Sequence, residues 1–313
     1  MKKSSNTAQQ VRRAAAIAIA VTAFSLTMPA AVSAQQSFKT PEDAFSALIA
    51  AAGDPDNGKL TSIFGPGSQP ILSSGDSVAD KNVRDLLIAA YNAKHQVTRD
   101  NENQVTLTVG QSDWPFPIPL VRKNDTWRFD LGAGRQEVLA RRIGRNERSA
   151  ILVALAYVDA QFDYADADPV GDGQHSFAQR FVSSPGKKDG LYWPTTPGAT
   201  SSPLGPLAAL ASLEGYRAGQ TPTPYHGYYY KILTGQGPNA QGGTSNYLVK
   251  GNLIGGFGLV AYPAQYGNSG VMTFMVNHQG VVLEKDLGPN TTRIVGRMTS
   301  YNPDQTWRKA ALP

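Results

Sequence analysis

At 313 residues the chain has room for one large or two modest domains, and with no cysteine it excludes disulfides, thiol catalysis, Cys-ligated zinc and a lipidated N-terminal Cys. Its 29 basic against 24 acidic residues give a formal charge of +5. Four of the cations (Lys2, Lys3, Arg12 and Arg13) lie at the extreme N-terminus; taking them from 29 leaves 25 against 24, which argues against nucleic acid as a partner.

Those four cations begin a leader. An apolar stretch from Ala14 to about Met28 follows, then small residues ending Val32-Ser33-Ala34. A basic end, a short apolar run and an Ala-x-Ala-like site predict a signal peptide over 1–34, cut after Ala34. The apolar run is shorter than the ~20 residues a membrane-spanning helix needs. The expectation is an exported protein of the periplasm or extracellular space, with no stable membrane span once the leader is cleaved.

Thr40-Pro41-Glu42-Asp43 predicts a helix start, with Thr40 as cap, Pro41 at the first helical position and Asp43 three residues on. Phe45, Leu48 and Ile49 then share one face. A short helix over Lys59–Phe64 and a third from Val78 to about Tyr91 follow, the last with Val83, Leu86, Leu87 and Tyr91 on one side. Val105, Leu107 and Val109 alternate with polar residues as in a half-buried strand. In Trp114–Leu120 large apolar residues alternate with Pro115, Pro117 and Pro119, which predicts an edge strand or polyproline-like ribbon laid over a core. Lys123-Asn124-Asp125 turns the chain into a partner strand, Thr126–Phe129. Helices followed by antiparallel strands predict an α+β domain over 35–135, in an element order that resembles the cone-shaped nuclear-transport-factor-2-like superfold.

Helical periodicity resumes near Arg135 and runs to about Tyr164, with Gly144 as a candidate break. Residues 183–245 are rich in Gly, Pro, Ser and Thr and read as irregular chain around a short helix near Pro206–Leu213. Strands are expected at Tyr225–Leu233, Asn252–Tyr262, Val271–Val276 and Val281–Asp286, the last two joined by a turn at Asn277–Gly280. The second domain, 136–313, is thus expected to be α+β too: a long helix packed on an antiparallel meander.

Four blocks carry a resemblance. They are Gly144-Arg145-Asn146-Glu147 with Ala150-Ile151 and Tyr157–Gln161; Pro185–Pro194; His226–Tyr230; and Tyr266–Phe274. Together they resemble an exported bacterial family known as domain of unknown function 2950, a likeness that implies no activity. Asn146-Glu147, Ala150-Ile151, Ala160-Gln161, Tyr164 and Phe177-Ala178 more distantly resemble pilin and type II pseudopilin headgroups. That likeness implies a long helix on an antiparallel sheet. Pilins carry this helix directly after an uncut apolar half, whereas here a whole domain intervenes.

No complete catalytic motif is present. Asp166, Asp168 and Asp172 fall at calcium-loop spacing with Gly171, but Val170 and Phe177 stand where further oxygens belong, and an acidic turn ending a helix is the alternative. Ser269 sits in Gly-Asn-Ser-Gly, with His226 and Asp286 available to complete a triad on paper; His278 is the other candidate base. Glu284 and Asp286 share a strand face and could form a carboxylate pair. Tyr225, Tyr228, Tyr229, Tyr230, Tyr262 and Tyr266 offer flat rings with polar tips suited to a sugar or polymer. The sequence therefore favours a non-catalytic binding or structural module of the cell envelope, with an envelope protein or cell-wall polymer as partner and no cofactor unless calcium binds. The alternative is an envelope hydrolase acting on a wall polymer or peptide.

Overall fold

The computed structural model describes residues 34–195, 198, 200–217 and 223–313. The expected leader lies outside the described residues, apart from Ala34. The fold is α+β, with helices and antiparallel sheets throughout and a long central helix followed by a sheet.

The first part opens with α1 (Pro41–Ala52), α2 (Gly58–Phe64), α3 (Gln69–Leu72) and α4 (Ser77–Ala93). Thr40 Oγ1 accepts from the Asp43 N–H at 3.1 Å, the N-cap that the sequence predicts. Five strands follow: β1 (His95–Asn101), β2 (Gln104–Val109), β3 (Trp114–Pro115), β4 (Leu120–Lys123) and β5 (Thr126–Phe129). They form an antiparallel sheet in the order β1-β2-β4-β5, with β3 also on β2. Val105, Leu107 and Val109 of β2 are buried beneath the helices. Phe129 is the hub of this core, meeting Phe45, Phe64 and Phe116 edge-on with centroids at 5.7, 5.2 and 6.3 Å. The proline-interleaved stretch is a strand at Trp114–Pro115 and again where Leu120 begins β4; Phe116, Ile118 and Leu120 are buried in the core while Trp114 stays half-exposed.

One helix, α5 (Leu131–Ala167), runs 37 residues from the first core into a second. It begins four residues before the predicted Arg135, because Asp130 caps it through Ala133 N at 3.0 Å. Gly134 lets it pass close to the preceding loop: a Cβ there would lie 2.7 Å from Ile118 Cα. The helix continues unbroken through Gly144, whose missing side chain faces open space.

The rest of the chain contributes α6 (Gly205–Leu213), β6 (Tyr228–Leu233), β7 (Gly235–Gln236), β8 (Ser245–Asn246), β9 (Leu248–Val249), β10 (Asn252–Leu253), β11 (Gly258–Pro263), β12 (Met272–Asn277), β13 (Leu283–Asp286), α7 (Thr291–Gly296) and β14 (Arg308–Lys309). The main sheet is antiparallel, ordered β14-β13-β12-β11-β6. Ala150, Ile151, Ala154, Tyr157, Val158 and Tyr164 form the stripe by which α5 packs on one sheet face, against Leu259, Phe274 and Val276. Leu233, Val260, Met275 and Val295 build a smaller core on the other face, beneath α7. Gln161, fully buried, fixes the helix to the following loop: its amide accepts from Ala178 N and donates to Ala178 O, both at 2.8 Å, and donates to Tyr157 Oη at 2.9 Å. Among the described residues, no helix is long and apolar enough to cross a membrane.

Candidate functional site

The most distinctive feature of the first part is a cavity of about 490 Å³ between the helices, the sheet and the start of α5. Its floor is Leu48, Phe64, Ile71, Val109, Phe116 and Ile118. Helix α4 forms one wall and has no fully buried residue. Its apolar side is only partly covered: Leu87, Ala90 and Tyr91 pack against the core, whereas Leu86 remains 69% and Val83 44% exposed, and both line the cavity. The volume falls within the roughly 300–1,000 Å³ of small-molecule sites.

The polar part of the lining is mostly cationic. Arg84 comes from α4 and Arg141, Arg142 and Arg145 from α5, against one carboxylate, Asp80. Arg141 is already engaged: it pairs with Glu137 at 2.6 Å, donates to Pro115 O at 3.1 Å and lies 4.8 Å above the Trp114 ring. Buried Arg142 donates to Pro70 O at 2.7 Å, to Ile71 O at 2.5 Å and to Asn268 Oδ1, all uncharged acceptors. Desolvation lowers its pKa below the ordinary guanidinium value; Asp80 opposes the shift and Arg145 adds to it. Arg145 keeps part of its side chain in water, yet desolvation first and Arg148 second also lower it, with Asp80 opposing. Among the described residues Arg145 has no ion pair or side-chain hydrogen bond. Asp80 Oδ2 accepts from Ser74 N at 2.9 Å.

The residues that sequence reasoning singles out lie elsewhere. Ser269 is fully buried, and its hydroxyl accepts from Gln265 N at 2.9 Å and donates to Gln265 O at 3.2 Å. His226 Nε2 lies 3.1 Å from Glu214 Oε2. Gly227 backs directly onto Ser269, so His226 and Ser269 are close, but each is held by another residue. Asp286 accepts from Gly288 N at 2.7 Å and from Tyr266 Oη at 3.2 Å, on β13. Glu284, two residues earlier, stands opposite Arg308 of β14. His278 packs edge-on against Tyr247 and Phe257, and burial lowers its pKa below the usual histidine value.

The tyrosines do not form one surface. Tyr228 is fully buried on the α5 side, where Tyr230 also packs; Tyr229 and Tyr262 pair across β6 and β11, centroids 5.6 Å apart, with Tyr262 against the smaller core. Tyr225 meets Tyr216 at 4.8 Å in a turn, and Tyr266 stands apart beside Asp286. Around the acidic turn, Asp168 Oδ2 accepts from Gly173 N and Asp172 Oδ1 from Gln174 N, both at 2.9 Å, while Asp166 is exposed. Among the described residues, no group of three or more His, Asp or Glu side chains is arranged to hold a metal ion.

A family model described as "Protein of unknown function (DUF2950)" matches residues 35–310. The chain belongs to that family. No curated protein and no solved structure matches it. Three of the four blocks that resemble the DUF2950 family meet at one place, where α5 crosses from the first core to the second. Asn146 Nδ2 donates to Ser269 O at 2.9 Å, and Glu147 Oε1 accepts from Val271 N and Met272 N, both at 2.9 Å. Asp76, the buried cap of α4, accepts from Tyr216 Oη at 2.8 Å and Gly227 N at 2.9 Å. In this member of the DUF2950 family, then, the junction is a hydrogen-bonded packing point, and Arg142, Arg145 and Asn146 beside it line the cavity.

The cavity is what sequence reasoning missed. Its signal was present in part: Val83, Leu86 and Leu87 mark an apolar face on α4, and Arg141, Arg142, Arg145 and Arg148 a basic face on α5. That the two faces border one empty space depends on how α4 and α5 pack in the tertiary fold, which no local pattern encodes.

Proposed function

We propose that this protein is an exported, non-catalytic binding module of the cell envelope, and that its cavity takes a small, largely apolar ligand. Export is supported by the basic, apolar and small-residue order of Met1–Ala34. The observation that carries the binding reading is α4, whose Val83 and Leu86 side chains line the cavity without being covered. Burying a Val or Leu side chain is worth about 1.5–3 kcal/mol, so a guest that covers Val83 and Leu86 gains energy the empty fold leaves unused. A hydrolase is less well supported, because Ser269 is sealed and its hydroxyl is committed to Gln265.

The test is saturable binding of the neutral dye N-phenyl-1-naphthylamine by the purified protein. Fluorescence should rise with a single class of site, and bound dye should raise the melting temperature as mass action requires. Leu86→Glu places a charge on the lining at a position exposed enough to leave the fold intact, and it should weaken dye binding at least about tenfold, consistent with the cost of desolvating a carboxylate. Absence of saturable binding, or equal binding by Leu86→Glu, would refute the reading.

A further inference from the structure

Resting on the binding reading above, we infer that the ligand is a single-chain amphiphile with an anionic head, its chain in the cavity and its carboxylate or phosphate on Arg145, with Arg84 and Arg142 adding positive potential.

Size sets the chain. At about 490 Å³ the cavity lies within the roughly 300–1,000 Å³ of small-molecule sites, room enough for one alkyl chain. The depth of the cavity is apolar, from Leu48, Phe64 and Val109, which suits a chain without internal polar groups.

Charge sets the head. Four arginines line the cavity against Asp80, and among the described residues only Arg141 of the four is ion-paired, with Glu137. Arg142 is about nine-tenths buried, borders the cavity and, among the described residues, is hydrogen-bonded only to uncharged oxygens, so no carboxylate touches it and Asp80 acts on its charge from a distance. Several buried or partly buried cations facing a single carboxylate leave a net positive potential in their surroundings, which favours an anion beside them. Arg145, one turn along α5, is an exposed part of the lining, has its side-chain donors free among the described residues and can present two parallel N–H groups to a carboxylate or phosphate. Arg84 reaches the same lining from α4, its side chain held among the described residues only by a 3.5 Å bond to Asn57 Oδ1. A neutral or cationic head would leave these donors unanswered.

The experiment is calorimetric titration of the purified protein with laurate, dodecanol and dodecylammonium, each below its aggregation concentration, and with inorganic phosphate alone. Laurate should bind about ten- to a hundredfold tighter than dodecanol, the worth of one charge-assisted hydrogen-bonded contact, and dodecylammonium weakest. Arg145→Gln should bring laurate close to dodecanol with little change in the melting temperature, since among the described residues the Arg145 side chain bonds to no other group. Arg148→Gln, which is outside the lining, should leave the preference intact. Equal affinity for laurate and dodecanol, a preference for dodecylammonium, or an unchanged preference in Arg145→Gln would overturn the head-group inference and leave the apolar cavity standing. Phosphate binding as tight as laurate would overturn it in favour of a plain anion site. Failure of all three chains to bind would overturn both readings.

Discussion

Asp76 offers the sharpest test of how the two cores are joined. Its carboxylate is 2% exposed and makes three bonds: Oδ1 accepts from Ala79 N at 3.0 Å, capping α4, and Oδ2 accepts from Tyr216 Oη at 2.8 Å and Gly227 N at 2.9 Å. Asp76→Ala removes the cap, worth about 1 kcal/mol. It also leaves a buried hydroxyl and a buried N–H without acceptors, at about 1–3 kcal/mol each. The relief of no longer desolvating a carboxylate offsets part of this, so the expected loss is about 3–5 kcal/mol, the range for breaking a buried charged contact. Against a total stability of roughly 5–15 kcal/mol this is large.

Asp76→Asn should cost less, about 1–3 kcal/mol, because the amide oxygen still serves one donor while its NH₂ group cannot accept from Gly227 N. The assay is urea unfolding followed by tryptophan fluorescence, with Tyr216→Phe and the Asp76→Ala/Tyr216→Phe double variant completing a cycle. A coupling of about 0.5–3 kcal/mol is expected for groups in direct contact. An Asp76→Ala protein within about 1 kcal/mol of the parent at unchanged slope, or a coupling of zero, would refute the account of the junction.

Two further outcomes follow from single buried groups. Gln161→Ala should destabilise by about 2–5 kcal/mol in the same urea assay, since it orphans both the N–H and the C=O of Ala178, and Gln161→Leu should recover little of it because packing is not what is lost. His278 has its pKa lowered by burial, so the folded protein binds fewer protons there than the unfolded chain; its contribution is intact above the ordinary value of 6.5 and is lost as pH falls below it. His278→Phe should flatten that acid limb of a stability–pH curve, and an unchanged limb would show that other groups set it.

Much of the architecture was legible because it is locally encoded. Thr40-Pro41 caps α1 through its own side chain, and the alternation of Val105, Leu107 and Val109 marks β2 because one face is buried. Errors came where tertiary contact overrides local preference. Gly132 and Gly134 look like breakers, yet α5 includes them, and Gly134 is there because Ile118 leaves no room for a Cβ. Strand β1 was invisible because only Val97 among its residues is even half-buried, so it has no apolar alternation to show. The tyrosines misled for a related reason: neighbours on a strand point to opposite faces, so Tyr228, Tyr229 and Tyr230 could never have formed one surface. The cavity needed a distance between elements, and a sequence gives directions more readily than distances.

Arg142 shows why that distance matters for function. The carbonyls of Pro70 and Ile71 and the amide oxygen of Asn268 need donors, and a neutral side chain of similar reach could supply some of them. They do not need a charge. Burying a charge costs several kcal/mol after relaxation, and well-packed apolar replacements of buried ions are often neutral or stabilising, so stability alone gives no reason for a guanidinium here. What the charge does provide is a positive potential along the wall of a cavity with an apolar floor, next to an Arg145 whose side-chain donors are free among the described residues. The costly residue and the unused donors thus border the same space, which is the arrangement expected when folding energy has been given up to hold an anion in place.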